Sequence, residues 1–183
     1  MTDERLYLQY HSGDRKAADE LVERYGDALT IYIYGFLGDI QEAEDLMIEA
    51  FALMFVKHRP VSAEGSFKGY LFKIGRNLAV RHKRKNLLRL LSFEELTFEP
   101  GSEILVETPL WGKERKAQLY KAMAGLKEEY REALYLVYFE DMSYRQAAAV
   151  MGKSEAQITK LVYRGKQSLK NILEKAGFEY EDK

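Results

Sequence analysis

Residues Ser143–Lys170 read SYRQAAAVMGKSEAQITKLVYRGKQSLK, and this stretch decides the fold. Ser143 with Gln146, and Ser154 with Gln157, are two S-x-x-Q capping boxes, in which a hydroxyl and an amide satisfy the backbone groups left over at a helix start. Two helix beginnings are thereby marked eleven residues apart. Between them Gly152 supplies the left-handed residue that ends the first helix, while Ala147, Ala148 and Ala149 keep that helix thin enough to pack closely on the second. In the second helix Ile158, Leu161, Val162 and Leu169 form an apolar stripe, leaving Ala156, Thr159, Lys160, Tyr163, Arg164 and Lys166 outward. The pattern is a helix-turn-helix, and its outward basic face suits a DNA major groove.

Composition agrees with that reading without demanding it. The 183 residues are 46% hydrophobic, enough for one medium domain or two small ones. Zero cysteines exclude disulfides and thiolate metal sites. The start MTDERLYLQY lacks the basic-then-apolar order of a signal peptide. No apolar run approaches the roughly 20 residues a helix needs to cross a bilayer. A cytoplasmic protein is expected, with any membrane link made through a partner.

A net charge of −1 looks unpromising for a DNA binder until the charges are sorted by position. From Lys73 to Arg89 stand seven bases and no acid, and from Ser143 to Ala176 seven bases face two acids. The acids gather at Asp39 to Glu49, five with no base, and along Glu94 to Glu107. Such segregation creates local fields that can bind phosphate although the total is near zero.

Upstream, residues 14 to 90 carry a continuous helical pattern. Asp14 caps a helix running to about Leu37, with Ala18, Leu21, Val22, Tyr25, Leu29, Tyr32 and Ile33 at helical spacing and Gly38 as its stop. A second helix, about Gln41 to Lys57, buries Ala43, Leu46, Met47, Ala50, Phe51 and Met54. Its other faces show Glu42, Asp45 and Glu49 together with Ile48, Leu53 and Phe55, a mixed acidic and apolar exposure that favours a protein partner over a merely solvated stripe. After the loop His58–Ser66, FKGYLFKIGRNLAVRHKRK turns Phe67, Tyr70, Leu71, Ile74, Leu78 and Ala79 inward. Lys73, Arg76, Asn77, Arg81, Lys83 and Arg84 then lie largely outward. A basic helix beside an aromatic-flanked loop offers cations for phosphate and π-faces for unstacked bases.

The segment Ser92–Gly112, SFEELTFEPGSEILVETPLWG, breaks the helical pattern with two prolines and carries five acids. It reads as an anionic tether, in which Ser92 and Glu95 offer the cap of a short helix. The expected architecture is all-α, with two small helical domains at 1–91 and 113–183 joined by a linker at 92–112.

An enzyme reading finds little support. Gly152-Lys153-Ser154 resembles the end of a phosphate-binding loop, but Ala147 stands where the loop's first glycine belongs and a helix, not a strand, precedes it. His11, His58 and His82 lack ligand spacing, and Glu44-Asp45 are adjacent and diverge around their helix. No catalytic residue, metal or cofactor is assigned.

The order of these segments resembles bacterial sigma factors of the extracytoplasmic function (ECF) group, the members of the sigma-70 family that keep only regions 2 and 4. EAEDLMIEAFALMF at Glu42–Phe55 resembles the family's core-polymerase-binding helix. FKGYLFKIGRNLAVRHKRK at 67–85 resembles its −10-reading helix, and Leu126–Leu169 resembles region 4. The resemblance implies that Glu42, Glu44, Asp45, Leu46, Glu49 and Phe51 dock on the clamp helices of core RNA polymerase. It implies that Tyr70, Lys73, Arg76, Asn77, Arg81, Lys83 and Arg84 hold the single-stranded −10 element, with the loop 58–66 accepting an extruded base. Ser154, Gln157, Thr159, Lys160, Tyr163, Arg164 and Lys166 would then meet the duplex −35 element. Gln157 would address adenine and Lys160 or Arg164 guanine, each bidentate pair contributing roughly 1 to 3 kcal/mol of discrimination. The linker would thread the polymerase's RNA channel.

This chain departs from the family pattern where specificity lies. Tyr70 stands for a tryptophan, Ile48 for a glutamine, Arg81 for an acid and Leu161 for an arginine, so base preferences do not carry across. An anti-sigma protein is a possible further partner, since no sensory domain is present. The competing reading is a helix-turn-helix regulator that binds duplex operators without polymerase.

Overall fold

The computed structural model describes residues 1–56, 66–92 and 114–177, and every element among them is helical. The N-terminal half is built from α1 (Asp3–His11), α2 (Arg15–Leu37), α3 (Ile40–Val56) and α4 (Phe67–Ser92). The C-terminal half comprises α5 (Glu114–Ala124), α6 (Glu128–Leu134), a π-helical turn at Tyr135–Phe139, α7 (Tyr144–Met151) and α8 (Glu155–Lys175).

Helix α2 begins and ends as its sequence dictates. The Asp14 carboxylate accepts from the Lys16 amide at 3.0 Å, and Gly38 closes the last turn at φ 70°. Its buried face, with Leu21, Leu29 and Ile33 fully enclosed, packs against α3 and α4. Close approach of α4 depends on Gly75, where a Cβ would stand 2.7 Å from Leu29 Cδ1. Phe67, Leu71 and Phe72 are fully buried beside it, so these aromatics belong to the core.

Helix α1 lies outside the span the sequence marks as helical. It is only 9 residues long, capped weakly by Thr2 at 3.4 Å, and its anchors are tertiary. Leu6 and Tyr7 are buried, the Tyr7 hydroxyl donates to the Met54 carbonyl at 3.0 Å, and Asp3 receives Arg24 Nη1 at 2.9 Å. Short helices gain most of their stability from such packing, which leaves little periodic signal in the sequence.

The C-terminal half confirms the two marked helix starts. Both serines accept from the amide three residues on, and both glutamines accept from the serine amide, at 2.8 to 3.2 Å. Gly152 takes the left-handed conformation at φ 64° with no neighbour close to its Cα hydrogens' side, so the requirement there is conformational and not steric. Ala147 and Ala148 are buried, while Ala149 faces solvent.

The two halves pack against each other, chiefly through α4 on α7 and α2 on α6. The Tyr32 and Tyr135 rings stack across the seam at 5.8 Å, and the Tyr135 hydroxyl donates to the Ala28 carbonyl at 3.0 Å. Ser92 closes α4, and the remainder of the expected linker, like the loop 57–65, lies outside the described residues.

Candidate nucleic-acid and partner surfaces

Helix α3 presents its acids as the pattern requires. Glu44, Asp45 and Glu49 are exposed, with Ile48 and Val56 among them at 61% and 79% exposure. Asp39 accepts from the Glu42 amide at 3.0 Å and so orders the first turn. Leu46 and Phe51, assigned above to a partner, face the core instead and can only support the surface from beneath. Phe55 is likewise drawn inward, its ring 4.5 Å from Tyr10 and 5.9 Å from Phe51. An aromatic ring buries too much apolar area to stay outside when a neighbouring cluster can take it.

Helix α4 carries its bases on two faces. Lys73, Asn77, Arg81 and Arg84 are exposed along one strip, and Tyr70 is half-buried at its head. Arg81 Nη2 lies 3.7 Å from Glu49 Oε1, and His82 Nε2 lies 3.2 Å from Glu42 Oε1. These contacts fix the acidic face of α3 beside the basic strip of α4.

The second face of α4 behaves differently from the sequence expectation. Arg76 does not stand free: its Nε donates to Glu132 Oε1 at 2.6 Å and Nη2 to Oε2 at 3.4 Å. Burial opposes the guanidinium charge, yet the Glu132 carboxylate bonded to it holds its pKa above the ordinary value. Lys83 donates to Glu128, and Lys68 Nζ sits 2.9 Å from Glu140 Oε2. Sequence patterning finds Arg76 and Lys83 but not their partners, which lie 56 and 45 residues away, and it does not single out Lys68.

On α8, Ile158, Val162 and Gly165 are buried while Gln157, Thr159, Lys160, Tyr163, Arg164 and Lys166 face outward as expected. Leu161 and Leu169 are half-buried. Four of these outward side chains are already engaged. Gln157 Oε1 accepts from the Ser154 amide at 2.8 Å, so a bidentate adenine contact through both amide atoms requires the capping box to open. Thr159 Oγ1 donates back to the Glu155 carbonyl at 2.9 Å. Lys166 Nζ lies 4.7 Å from the Tyr138 ring centroid, and hydrogen bonding to Tyr138 raises its pKa. Tyr163 is 66% exposed, and its hydroxyl accepts from Gln167 Nε2 at 3.3 Å, which leaves Lys160 and Arg164 as the outward groups best placed for base edges.

Among the described residues, no helix is long and apolar enough to cross a membrane.

Comparison with known proteins matches two separate stretches of the chain. The family model described as Sigma-70 region 2 matches residues 21–87, and that described as Sigma-70, region 4 matches residues 116–169. The chain is 29% identical over 156 residues to the ECF RNA polymerase sigma factor SigM of Bacillus subtilis, covering 84% of this chain and 93% of that one. It is 27% identical over 181 residues to the RNA polymerase sigma-H factor of Pseudomonas aeruginosa, covering 94% of each. In fold it is similar to the sigma factor RpoE of Bartonella quintana, solved with the anti-sigma factor NepR, at a TM-score of 0.71 and 22% identity over 85% of this chain and 96% of that one.

Proposed function

The chain belongs to the sigma-70 family, with regions 2 and 4 both matched and together spanning more than half of it, and from this premise we propose that it is an ECF-type sigma factor. It binds core RNA polymerase, reads the −35 and −10 promoter elements and assists strand opening, without chemistry of its own. Residues 1–91 act as the polymerase- and −10-binding unit, 113–183 as the −35 unit, and 92–112 as their linker. It acts in the cytoplasm, where its polymerase is.

One observation carries this reading. The same chain exposes two separate basic faces, Lys73, Asn77, Arg81 and Arg84 on α4 and Lys160, Tyr163 and Arg164 on α8, with an acidic face on α3 beside the first. A regulator that only reads duplex operators needs the α8 face. It has no use for a second basic helix flanked by an acidic and apolar partner surface.

Tethering suits such a division of labour. Each face alone binds DNA weakly, and linking them raises the effective concentration of the second once the first is bound. Polymerase docks on Glu44, Asp45, Ile48 and Glu49, supported from beneath by Leu46 and Phe51. Lys160 and Arg164 are the candidates for guanine and the remaining bases meet phosphate, which positions the protein without reading sequence.

The test is transcription in vitro from a library of upstream genomic fragments, with core RNA polymerase, this chain, or both. Discrete transcripts that need both components support the reading. Specific duplex binding by the chain alone, with no transcript in any mixture, would replace it with the operator-binding regulator.

A further inference from the structure

Residues of α2, α5 and α6 enclose a cavity of about 290 Å³. Tyr32, Phe36, Met123 and Tyr135 line it with buried side chains, and Tyr120 joins them half-buried. The Tyr32 hydroxyl donates to Glu132 at 2.7 Å and that of Tyr135 to the Ala28 carbonyl at 3.0 Å, so what both residues offer the cavity is ring surface. Well-packed interiors leave few voids larger than a water molecule. An apolar cavity of ~150 Å³ takes up one benzene ring, so the space here suits a ligand of two fused rings.

One cation lines this space without an acid of its own. Arg131 donates through Nη2 to the Gly35 carbonyl and through Nη1 to the Ala124 carbonyl, the latter at a long 3.5 Å. These carbonyls close the last turns of α2 and α5 and carry partial charge only, and they occupy two of the five guanidinium donors. The other charges along the cavity are already matched, Lys83 by Glu128, and Glu132 by Arg76 and the Tyr32 hydroxyl. Enclosed cations are ordinarily paired with carboxylates, yet no ion pair to Arg131 occurs among the described residues. Burial accordingly lowers its pKa, against the raising effect of the Glu128 and Glu132 charges.

We propose that this cavity is a binding site for a small aromatic monocarboxylic acid, whose rings fill the space beside Phe36, Tyr120 and Tyr135 and whose carboxylate pairs with Arg131. A guanidinium fork meets a carboxylate through two parallel hydrogen bonds, and the two carbonyls that hold Arg131 fix the fork in advance. A neutral aromatic molecule would leave the cation unpaired, and an aliphatic acid would forgo stacking on the rings. A ligand with a second negative charge would meet Glu128 and Glu132 at close range. The inference goes beyond the sigma-factor reading and does not depend on it. It gives the chain a chemical input of its own, because an acid that binds only the folded chain stabilises it in step with its concentration.

Titration calorimetry and thermal melts of the full chain test this, with naphthoate as the probe, naphthamide as its neutral counterpart and decanoate as an aliphatic acid of similar size. Two variants accompany the parent: Arg131→Gln removes the charge, and Ala124→Trp fills the cavity from an exposed position while leaving Arg131 in place. Naphthoate is expected to bind the parent at a single site with a dissociation constant below about 1 mM and to raise its Tm. The amide, which lacks the charge-assisted pair, is expected to bind about tenfold more weakly or worse, and decanoate more weakly than naphthoate. Both variants are expected to lose the binding and the Tm shift. Should Arg131→Gln fail to fold, Ala124→Trp and the amide decide by the same two readouts. Naphthoate that leaves the parent's heat and Tm unchanged, or that binds the parent and Ala124→Trp alike, overturns the site. An amide that binds as tightly as the acid removes Arg131 from it and overturns the proposal, as does decanoate binding more tightly than naphthoate.

Discussion

Arg76 and Glu132 lie 56 residues apart in sequence and meet with Nε 2.6 Å from Oε1, joining α4 of the first half to α6 of the second. Side-chain exposure is 22% for Arg76 and 3% for Glu132, so the carboxylate depends on its partners for what water no longer supplies. Tyr32 is the other partner, and its hydroxyl pKa is pushed well above the ordinary value, first by burial and then by the adjacent Glu132 charge.

Tyr32→Phe therefore isolates one bond of this node. The ring stack with Tyr135 and the contact with Phe72 at 5.2 Å remain, while Glu132 loses a donor. A hydrogen bond to a charged group is worth about 1.5 to 3 kcal/mol. Urea unfolding of the variant should show a loss near 2 kcal/mol, and an unchanged midpoint would mean that the bond contributes nothing to the folded state.

The alkaline limb of stability follows from the same tyrosines. Burial, then the Glu140 charge, raises both Tyr120, pushed up to about 12, and Tyr135, which is raised further. Tyrosines of the unfolded chain ionise near pH ~10, so above that pH the unfolded state releases protons that the folded state retains. Stability is then complete below about pH 10 and falls as pH rises through about 12 and beyond. Thermal melts between pH 8 and 12 check the sign: a rise in Tm above pH 10 would contradict it.

Packing of α4 on α2 gives a steric prediction. Leu29 is fully buried, and a Cβ at position 75 would come within 2.7 Å of its Cδ1 and 3.4 Å of Ile33 Cδ1. Gly75→Val overfills this crossing, at a cost of about 1 to 3 kcal/mol. For a chain of this length each kcal/mol lowers Tm by about 2 to 4 °C. Calorimetry should record a drop of several degrees, and a Tm equal to the parent's would show that the helices separate freely there.

Much of this was legible in the sequence, and the reasons are local. Capping boxes at Ser143 and Ser154, the Asp14 cap and the glycine stops at Gly38 and Gly152 act within four residues, so their spacing alone locates α2, α7 and α8. The outward face of α8 was readable for the same reason, from 3.6-residue periodicity. Contacts made over long separations were not. Nothing near Arg76 announces Glu132, nothing near Lys83 announces Glu128, and α1 is held by Met54, Tyr25 and Arg24 and not by its own pattern. The π-helical turn at Tyr135–Phe139 also escaped notice, since its apolar run YLVYF reads equally well as ordinary helix.

Recognition by α8 should follow free side chains over engaged ones. Arg164→Ala is expected to relax preference at one position of the −35 duplex by about 1 to 3 kcal/mol. Gln157→Ala, whose carbonyl oxygen already serves the Ser154 amide, should change base preference much less and instead weaken the helix start. Ser154→Ala should cost about 1 kcal/mol of stability by removing the same cap. Competition binding across all single-base variants of the selected duplex separates these effects. A preference change at Gln157 as large as that at Arg164 would show that the capping box opens on DNA.

The acidic face of α3 is the surface on which the account turns, because only a polymerase-dependent factor requires it. Asp45 and Glu49 are both exposed, so Asp45→Lys with Glu49→Lys reverses that face while leaving Leu46 and Phe51 in the core. The decisive measurement is co-purification of parent and double variant with core RNA polymerase, with circular dichroism to show that both are folded. Stoichiometric binding by the parent, lost in the folded variant, is the expected result. A parent that fails to bind core polymerase, or a variant that binds as well as the parent, would contradict the central claim.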